Sequence, residues 1–246
     1  MRNTIRHLFL ALVIATLAAV TSGTAAAVTV APRPLPVQSI SPAGGALVGI
    51  AHPVTVRFAA PVADRARAER SVSVGDLNGT FSWHGDSELV WQPTGFLPAD
   101  TPLTVTVGNV HSDFRTNGGT TADADMSAHT FTVNVPGEGS RVIPASMGKP
   151  GRETPVGTFP VIEKDRSITF DSRTIGIPLS DPEGYLLDGE YAERLTWGGV
   201  FVHSAPWSVD SQGYENVSHG CINLPPDDAA WYYDNVSVGD PVTVHW

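Results

Sequence analysis

Ser218-His219-Gly220-Cys221-Ile222-Asn223 holds the only cysteine of the 246-residue chain. One thiol cannot close a disulfide within a monomer, so Cys221 is either an intermolecular partner or a free thiol. Taken as an extended segment, 218–224 puts His219, Cys221 and Asn223 on one face and turns Ile222 and Leu224 toward a core. Upstream, Gly198-Gly199-Val200-Phe201-Val202-His203-Ser204 reads as a strand ending in a histidine. Fourteen residues separate His203 from Ser218, ample chain to bring two strand ends together. An ordinary thiol, with a pKa of about 8.5, is only a few per cent ionised at neutral pH, and an adjacent imidazole lowers that value or takes the proton. Gly220 lets a carbonyl approach the backbone closely, and consecutive N–H groups there are candidate donors to an oxyanion. The constellation suits acyl transfer through a thioester. Two other readings stay open on these residues alone: an inert cysteine buried in a strand, and a metal site formed by the thiolate with His203 and His219. The chain offers no second cysteine and no tight histidine pair, so no metal or cofactor is expected. The glycosylation sequon Asn216-Val217-Ser218 is read as a chance match.

Around this segment the chain is written in short β runs. Twenty prolines, 24 glycines and β-branched residues in brief stretches favour a mainly β protein. Val54–Phe58, Phe81–Trp83, Glu88–Trp91 and Leu103–Val107 alternate apolar and polar residues. Turn clusters such as Ser41-Pro42-Ala43-Gly44-Gly45 and Gly75-Asp76-Leu77-Asn78-Gly79 separate them. Strands at this spacing predict a β-sandwich over 39–111. Trp83 and Trp91 could present an aromatic platform, but packing is the usual reason for aromatics in strands and is the reading preferred. The Gly-, Ala-, Thr- and Asp-rich stretch 112–128 marks a boundary, with a linker expected at 112–121 and a second domain at 122–246. There a new β pattern opens at His129–Val135, followed by Gly- and Pro-dense loops at 146–150 and 154–159.

The N-terminus reads as an export signal over residues 1–27. Arg2 and Arg6 precede an apolar run from Leu8 to Val20, and Ala25-Ala26-Ala27 offers a small-residue cleavage site. The run is shorter than the roughly 20 residues that span a bilayer, so no transmembrane span is expected after cleavage, the alternative being retention as an anchor. Residues 28–38, with three prolines, read as an extended tether. The formal charge of −10 becomes more negative once Arg2 and Arg6 are removed, which argues against nucleic acid or an anionic membrane as partner.

His203-Ser204 followed by Ser218-His219-Gly220-Cys221-Ile222-Asn223 resembles the signature of the YkuD-type L,D-transpeptidases, enzymes that cross-link bacterial peptidoglycan. Ser146-x-Gly148-Lys149, Thr154-Pro155-x-Gly157-x-Phe159, Gly184-Tyr185 and Val202-His203-Ser204-Ala205-Pro206-Trp207 extend the likeness. With 39–111 similar to an immunoglobulin-like module, the chain resembles the short mycobacterial-type members. The fold this implies is an immunoglobulin-like β-sandwich followed by a β-rich catalytic domain with short helices. By the same resemblance Cys221 is the nucleophile and His203 the general base, its ring held by the Ser204 carbonyl. The N–H groups of Gly220 and Cys221 form the oxyanion hole, and His219 shapes the site beside them. Tyr185, on a flap behind a Gly184 hinge, covers the pocket and aids the oxyanion. Gly198 and Gly199 line the donor peptide, and Asn223 holds substrate.

The implied partners are peptidoglycan stem peptides, a tetrapeptide donor and a diaminopimelate acceptor, in the wall space of a bacterium. The reaction would join two diaminopimelates in a 3→3 cross-link with loss of D-Ala, and carbapenems would acylate the same sulfur. An L,D-carboxypeptidase and a non-catalytic wall-binding protein are the competing readings. Two departures stand out. Leu224-Pro225-Pro226 gives the helix expected at Pro226–Asn235 no capping side chain, a cost of about 0.5–2 kcal/mol partly offset by Asp227 and Asp228. The sequence also ends at Trp246 without the extension that longer members pack against the catalytic domain, so less support for the flap is expected.

Overall fold

The computed structural model describes residues 34–246; the export signal and residues 28–33 of the expected tether lie outside the described residues. The first domain contains β1 (Val37–Ser41), β2 (Leu47–Val48), β3 (Val54–Phe58), α1 (Arg65–Arg70), β4 (Val72–Val74), β5 (Gly79–His84), β6 (Glu88–Pro93), β7 (Pro102–Val107) and β8 (Val110–Thr116). They form two four-stranded sheets, β1-β3-β6-β5 and β2-β8-β7-β4. Alternation has the expected consequence: Val54, Val56 and Phe58 of β3 and Leu89 and Trp91 of β6 are buried between the sheets. Each such side chain stabilises the fold by roughly 1.5–3 kcal/mol relative to exposure.

Both tryptophans serve packing. Trp91 is buried, while Trp83 stacks 6.0 Å from Phe58 and donates its indole N–H to Glu69 at 2.8 Å. Their strands are neighbours in one sheet.

Two boundaries differ from the sequence expectation. Strand β1 starts at Val37 and pairs with β3, so the end of the supposed tether belongs to the sandwich. Strand β8 runs to Thr116 and buries Phe114, so residues 112–116 also belong there and the connection shrinks to 117–120. Polar composition concealed an interior strand, paired with β2 and β7, that buries only one face.

The second domain contains β9 (Thr121–Asp125), β10 (Thr130–Val135), β11 (Gly139–Pro144), β12 (Gly157–Pro160), β13 (Glu163–Asp171), β14 (Leu186–Arg194), β15 (Phe201–Ser204), β16 (Ile222–Leu224), α2 (Pro226–Asn235) and β17 (Pro241–His245). One sheet has the order β11-β10-β9-β17-β12, the other β13-β14-β15-β16. A single core joins them, with Phe131, Ile143, Met147, Val202, Ile222, Leu224 and Tyr232 buried and Phe131 meeting Tyr232 edge to face at 4.9 Å. Helix α2 begins at Pro226 with no side-chain cap, and Asp227 and Asp228 occupy its first turn.

The domains are joined by more than the chain. Gly49 and Ala51 donate backbone N–H groups to Val238 and Gly239 at 2.9 and 2.7 Å, and Asn117 Nδ2 donates to both oxygens of Asp240 at 3.0 and 3.1 Å. Burial in this joint pushes the Asp240 carboxyl up to about 6 against the pull of those hydrogen bonds. Among the described residues no helix is long and apolar enough to cross a membrane.

Candidate active site

Strands β15 and β16 run parallel, with Val202 opposite Ile222, His203 opposite Asn223 and Ser204 opposite Leu224. All seven residues are buried, and the segment 205–221 provides the crossover that a parallel pair requires. On the far side of β16 the segment 146–149 closes a second ladder. Ser146 and Asn223 exchange backbone hydrogen bonds of 3.1 and 2.8 Å, Ser218 N–H donates to Met147 at 2.9 Å, and Lys149 N–H donates to Ser218 at 3.0 Å.

The motif loop is bent. Only Ile222–Leu224 is strand, because Gly220 sits at φ +121° and Ser218 Oγ folds back, accepting from Gly220 N–H at 3.0 Å and donating to the Cys221 carbonyl at 2.7 Å. A serine closing its own turn competes with extended pairing. The extended backbone expected for 218–221 is therefore replaced by a turn, while His219, Cys221 and Asn223 still line one cavity and Ile222 and Leu224 still face the core. The Gly220 N–H, expected to serve an oxyanion, is engaged inside that turn.

His203 stands between two aromatic rings, Phe170 at 4.5 Å and Trp207 at 5.8 Å. Its Nδ1 lies 2.8 Å from the Ser204 carbonyl, an oxygen that only accepts, so the proton is assigned to Nδ1 and the lone pair to Nε2. Burial holds the imidazole well below its ordinary value, at about 4, with the Ser204 contact opposing. Cys221 is half-buried, and its Sγ lies 3.6 Å from the Gly199 carbonyl. Burial pushes its thiol up to about 11, against weaker pulls from the Phe201 backbone and Arg194. The resting site thus holds a neutral thiol and a neutral imidazole. Lowering of the thiol by its neighbour, one of the sequence expectations, does not occur, because desolvation outweighs it.

Strands β13 and β14 form an antiparallel ribbon, Glu163 opposite Arg194 through Asp171 opposite Leu186. The connection 172–185 closes over Cys221. Buried Ser172 grips its end: Ser172 N–H donates to the Tyr185 carbonyl at 3.0 Å, Tyr185 N–H donates to Ser172 Oγ at 3.0 Å, and that hydroxyl donates to Ile177 at 2.9 Å. The Tyr185 ring packs 5.2 Å from His219, and burial raises its phenol, with Cys221 adding to the rise. Gly184 packs so tightly that a Cβ would stand 2.4 Å from the Pro178 carbonyl, a close approach that requires glycine here. Glu183, one residue before it, pairs with Lys149 and lies 3.6 Å from His219 Nε2.

Two cavities meet at the sulfur. The larger, about 600 Å³, is lined by His203, Trp207, His219, Asn223 and Glu183; the smaller, about 160 Å³, by Gly198, Gly199, Trp197 and Arg194. Cys221, Tyr185 and Phe170 line both. Of the predicted site residues, Cys221, His203, His219, Tyr185, Asn223, Gly198 and Gly199 line these cavities, while Ser204 and Gly220 lie behind them. Asn223 is committed more than expected, since it is buried and its Nδ2 donates to Ser208 Oγ at 3.1 Å. Sequence reading missed Phe170 against His203, Ser172 behind Tyr185, and the turn made by Ser218. Of these, only the Ser-x-Gly spacing of 218–220 gave a local signal. Asn216 is a structural brace, accepting from Met147 N–H at 3.0 Å and donating to Met126 at 2.9 Å.

Residues 119–244 match the model of the YkuD L,D-transpeptidase catalytic domain, and residues 15–111 match a bacterial Ig domain. L,D-transpeptidase 1 of Mycobacterium tuberculosis is 49% identical over 249 residues, covering 99% of each chain. Probable L,D-transpeptidase 3 of the same species is 44% identical over 85% of this chain and 86% of its own. Among solved structures, an L,D-transpeptidase from Mycobacterium smegmatis superposes with a TM-score of 0.83 at 56% identity, covering 87% of this chain and all of that one. An L,D-transpeptidase in complex with imipenem gives the same TM-score at 52% identity over 87% of this chain and 100% of the other. With a matching catalytic domain, a matching immunoglobulin-like domain before it and near end-to-end relatives, the chain belongs to the L,D-transpeptidase family.

Proposed function

We propose that Cys221 attacks the carbonyl between diaminopimelate and the terminal D-Ala of a tetrapeptide stem and passes the acyl group to a second stem, forming a 3→3 cross-link. The observation that carries this reading is the pair of cavities sharing one sulfur, since a two-substrate acyl transfer needs two approaches to one thioester. With the thiol near 11 and the imidazole near 4, ground-state proton transfer is strongly uphill. Proton transfer from Sγ to His203 Nε2 is therefore coupled to C–S bond formation. The carbonyl oxygen takes up the charge against the Cys221 N–H and the Tyr185 hydroxyl, the Gly220 N–H being held by Ser218. As the tetrahedral species collapses, the imidazolium returns its proton to the departing D-Ala nitrogen and a thioester remains. The side-chain amine of the second diaminopimelate attacks that thioester and gives its proton to His203, and the sulfur leaves to be reprotonated. Water in place of the amine gives the L,D-carboxypeptidase outcome.

The protein acts after export, on the wall side of the membrane. Imipenem acylates Cys221, as its strained lactam carbonyl meets the same nucleophile. Incubation with a disaccharide-tetrapeptide tests the reading: a 3→3 dimer with one D-Ala released per link is expected. Tripeptide without dimer would replace transpeptidation by hydrolysis, and no D-Ala at all would leave a wall-binding role.

A further inference from the structure

We propose that Lys149, with His219 beside it, anchors the C-terminal carboxylate of the donor stem, and that Glu183 occupies this anchor in the empty cleft; the inference rests on the donor assignment above.

Lys149 is fixed by its backbone next to the motif. Its N–H donates to Ser218 at 3.0 Å, its carbonyl accepts from Arg152 at 2.8 Å, and the preceding Gly148 N–H is held by Thr154 Oγ1 at 3.0 Å. Its ammonium therefore projects from a rigid strip only three residues in register from Cys221. The chain carries 25 acids against 15 lysines and arginines, yet the described wall of the larger cavity holds Lys149 and His219 with Glu183 as its one carboxylate.

Glu183 behaves as an internal ligand. It pairs with Lys149, its carboxyl is held below the usual range first by that hydrogen bond, and its second oxygen stands 3.6 Å from His219 Nε2. That nitrogen is buried and makes no hydrogen bond, so the cradle is only partly filled. Glu183 belongs to the lid connection and is 41% exposed; a pair this open to water is weakly held and exchanges readily. A peptide C-terminus offers the same planar carboxylate. In a tetrapeptide donor that group lies one residue beyond the attacked carbonyl, a span of about 3.3–3.6 Å, which requires an anchor close to the nucleophile. A stem one residue longer carries its charge past the anchor. Exchange also releases Glu183, which lies two positions before Tyr185, so donor capture and lid position become linked.

The test is calorimetric titration of Cys221→Ala protein, which cannot turn over, with a tetrapeptide stem as the free acid and as its C-terminal primary amide. The acid is expected to bind about tenfold more tightly than the amide. Adding Lys149→Met makes the two equal, Lys149→Arg restores the preference, and Glu183→Gln tightens the acid about threefold while leaving the amide unchanged. Equal binding of acid and amide, or a preference that survives Lys149→Met, overturns the anchor and leaves the donor assignment standing. Binding of neither peptide overturns both.

Discussion

Beneath Cys221, β15 and β16 are buried at every position and β16 pairs directly with the 146–149 segment; above it, β13, β14 and their connection leave Leu179, Leu186 and Leu187 in solvent. The floor holds its polar groups by short backbone contacts, such as His203 to Ser204 and Ser146 to Asn223. The lid is held by Ser172, by one tight glycine and by the exchangeable Lys149–Glu183 pair. The lesson is a division of labour. A buried, over-determined floor sets protonation and tautomer, and a lid with more exposed apolar surface carries Tyr185 over the cleft.

Breaking the floor should have the largest effect. Cys221→Ala is expected to lower turnover by about 10⁴-fold or more and to abolish the imipenem adduct in intact-mass spectra, with the thermal midpoint unchanged; an adduct on the variant would place the nucleophile elsewhere. His203→Gln should slow acylation by roughly 10²–10⁴-fold in stopped-flow measurements, and an unchanged rate would move the base to His219.

The same histidine gives the floor a pH signature that the interdomain joint opposes. His203 has a folded value of about 4, below its unfolded 6.5, so unfolded chains bind the extra proton and the wild type loses about 3 kcal/mol as pH falls through that window. Asp240 is raised from 3.8 to about 6. Its protonation in the folded state adds about 3 kcal/mol as pH falls from 6 to 3.8. Urea unfolding from pH 7 to 4 should show His203→Gln gaining stability relative to wild type on acidification and Asp240→Asn losing it. Slopes of the same sign would refute the contrast.

In the lid, Gly184→Ala must move the Pro178 carbonyl, an overpacking cost of about 1–3 kcal/mol, and should lower kcat/KM about tenfold through Tyr185. Loss of stability with unchanged kinetics would show the lid position to be irrelevant. The smallest catalytic effect belongs to the joint. Asp240→Asn should change kcat/KM less than about twofold, and a larger change would mean that the first domain steers the cleft.

Much of this was legible beforehand because it is local. Alternation in Val54–Phe58 and Leu103–Val107 marked the sandwich, and the helix expected from the resemblance forms at Pro226–Asn235. The spacing of His203 from Cys221 pointed to the chemistry. Residues 112–116 were misread because a solvated strand has loop-like composition, and 218–221 because a glycine at positive φ and a serine closing its turn defeat simple alternation. Phe170 carries no mark of its own; only the folded ribbon lays it on the imidazole.

By itself the sequence determined which groups can react, and that they sit on short strands behind an immunoglobulin-like module, since residue type and period two act over a few positions. Tertiary structure alone decided the neutral state of Cys221 and His203, the capture of Gly220 N–H by Ser218, and the meeting of Lys149 with Glu183 across 34 positions of chain. Desolvation and charge pairing depend on what the fold brings within a few ångströms, whatever the separation in sequence.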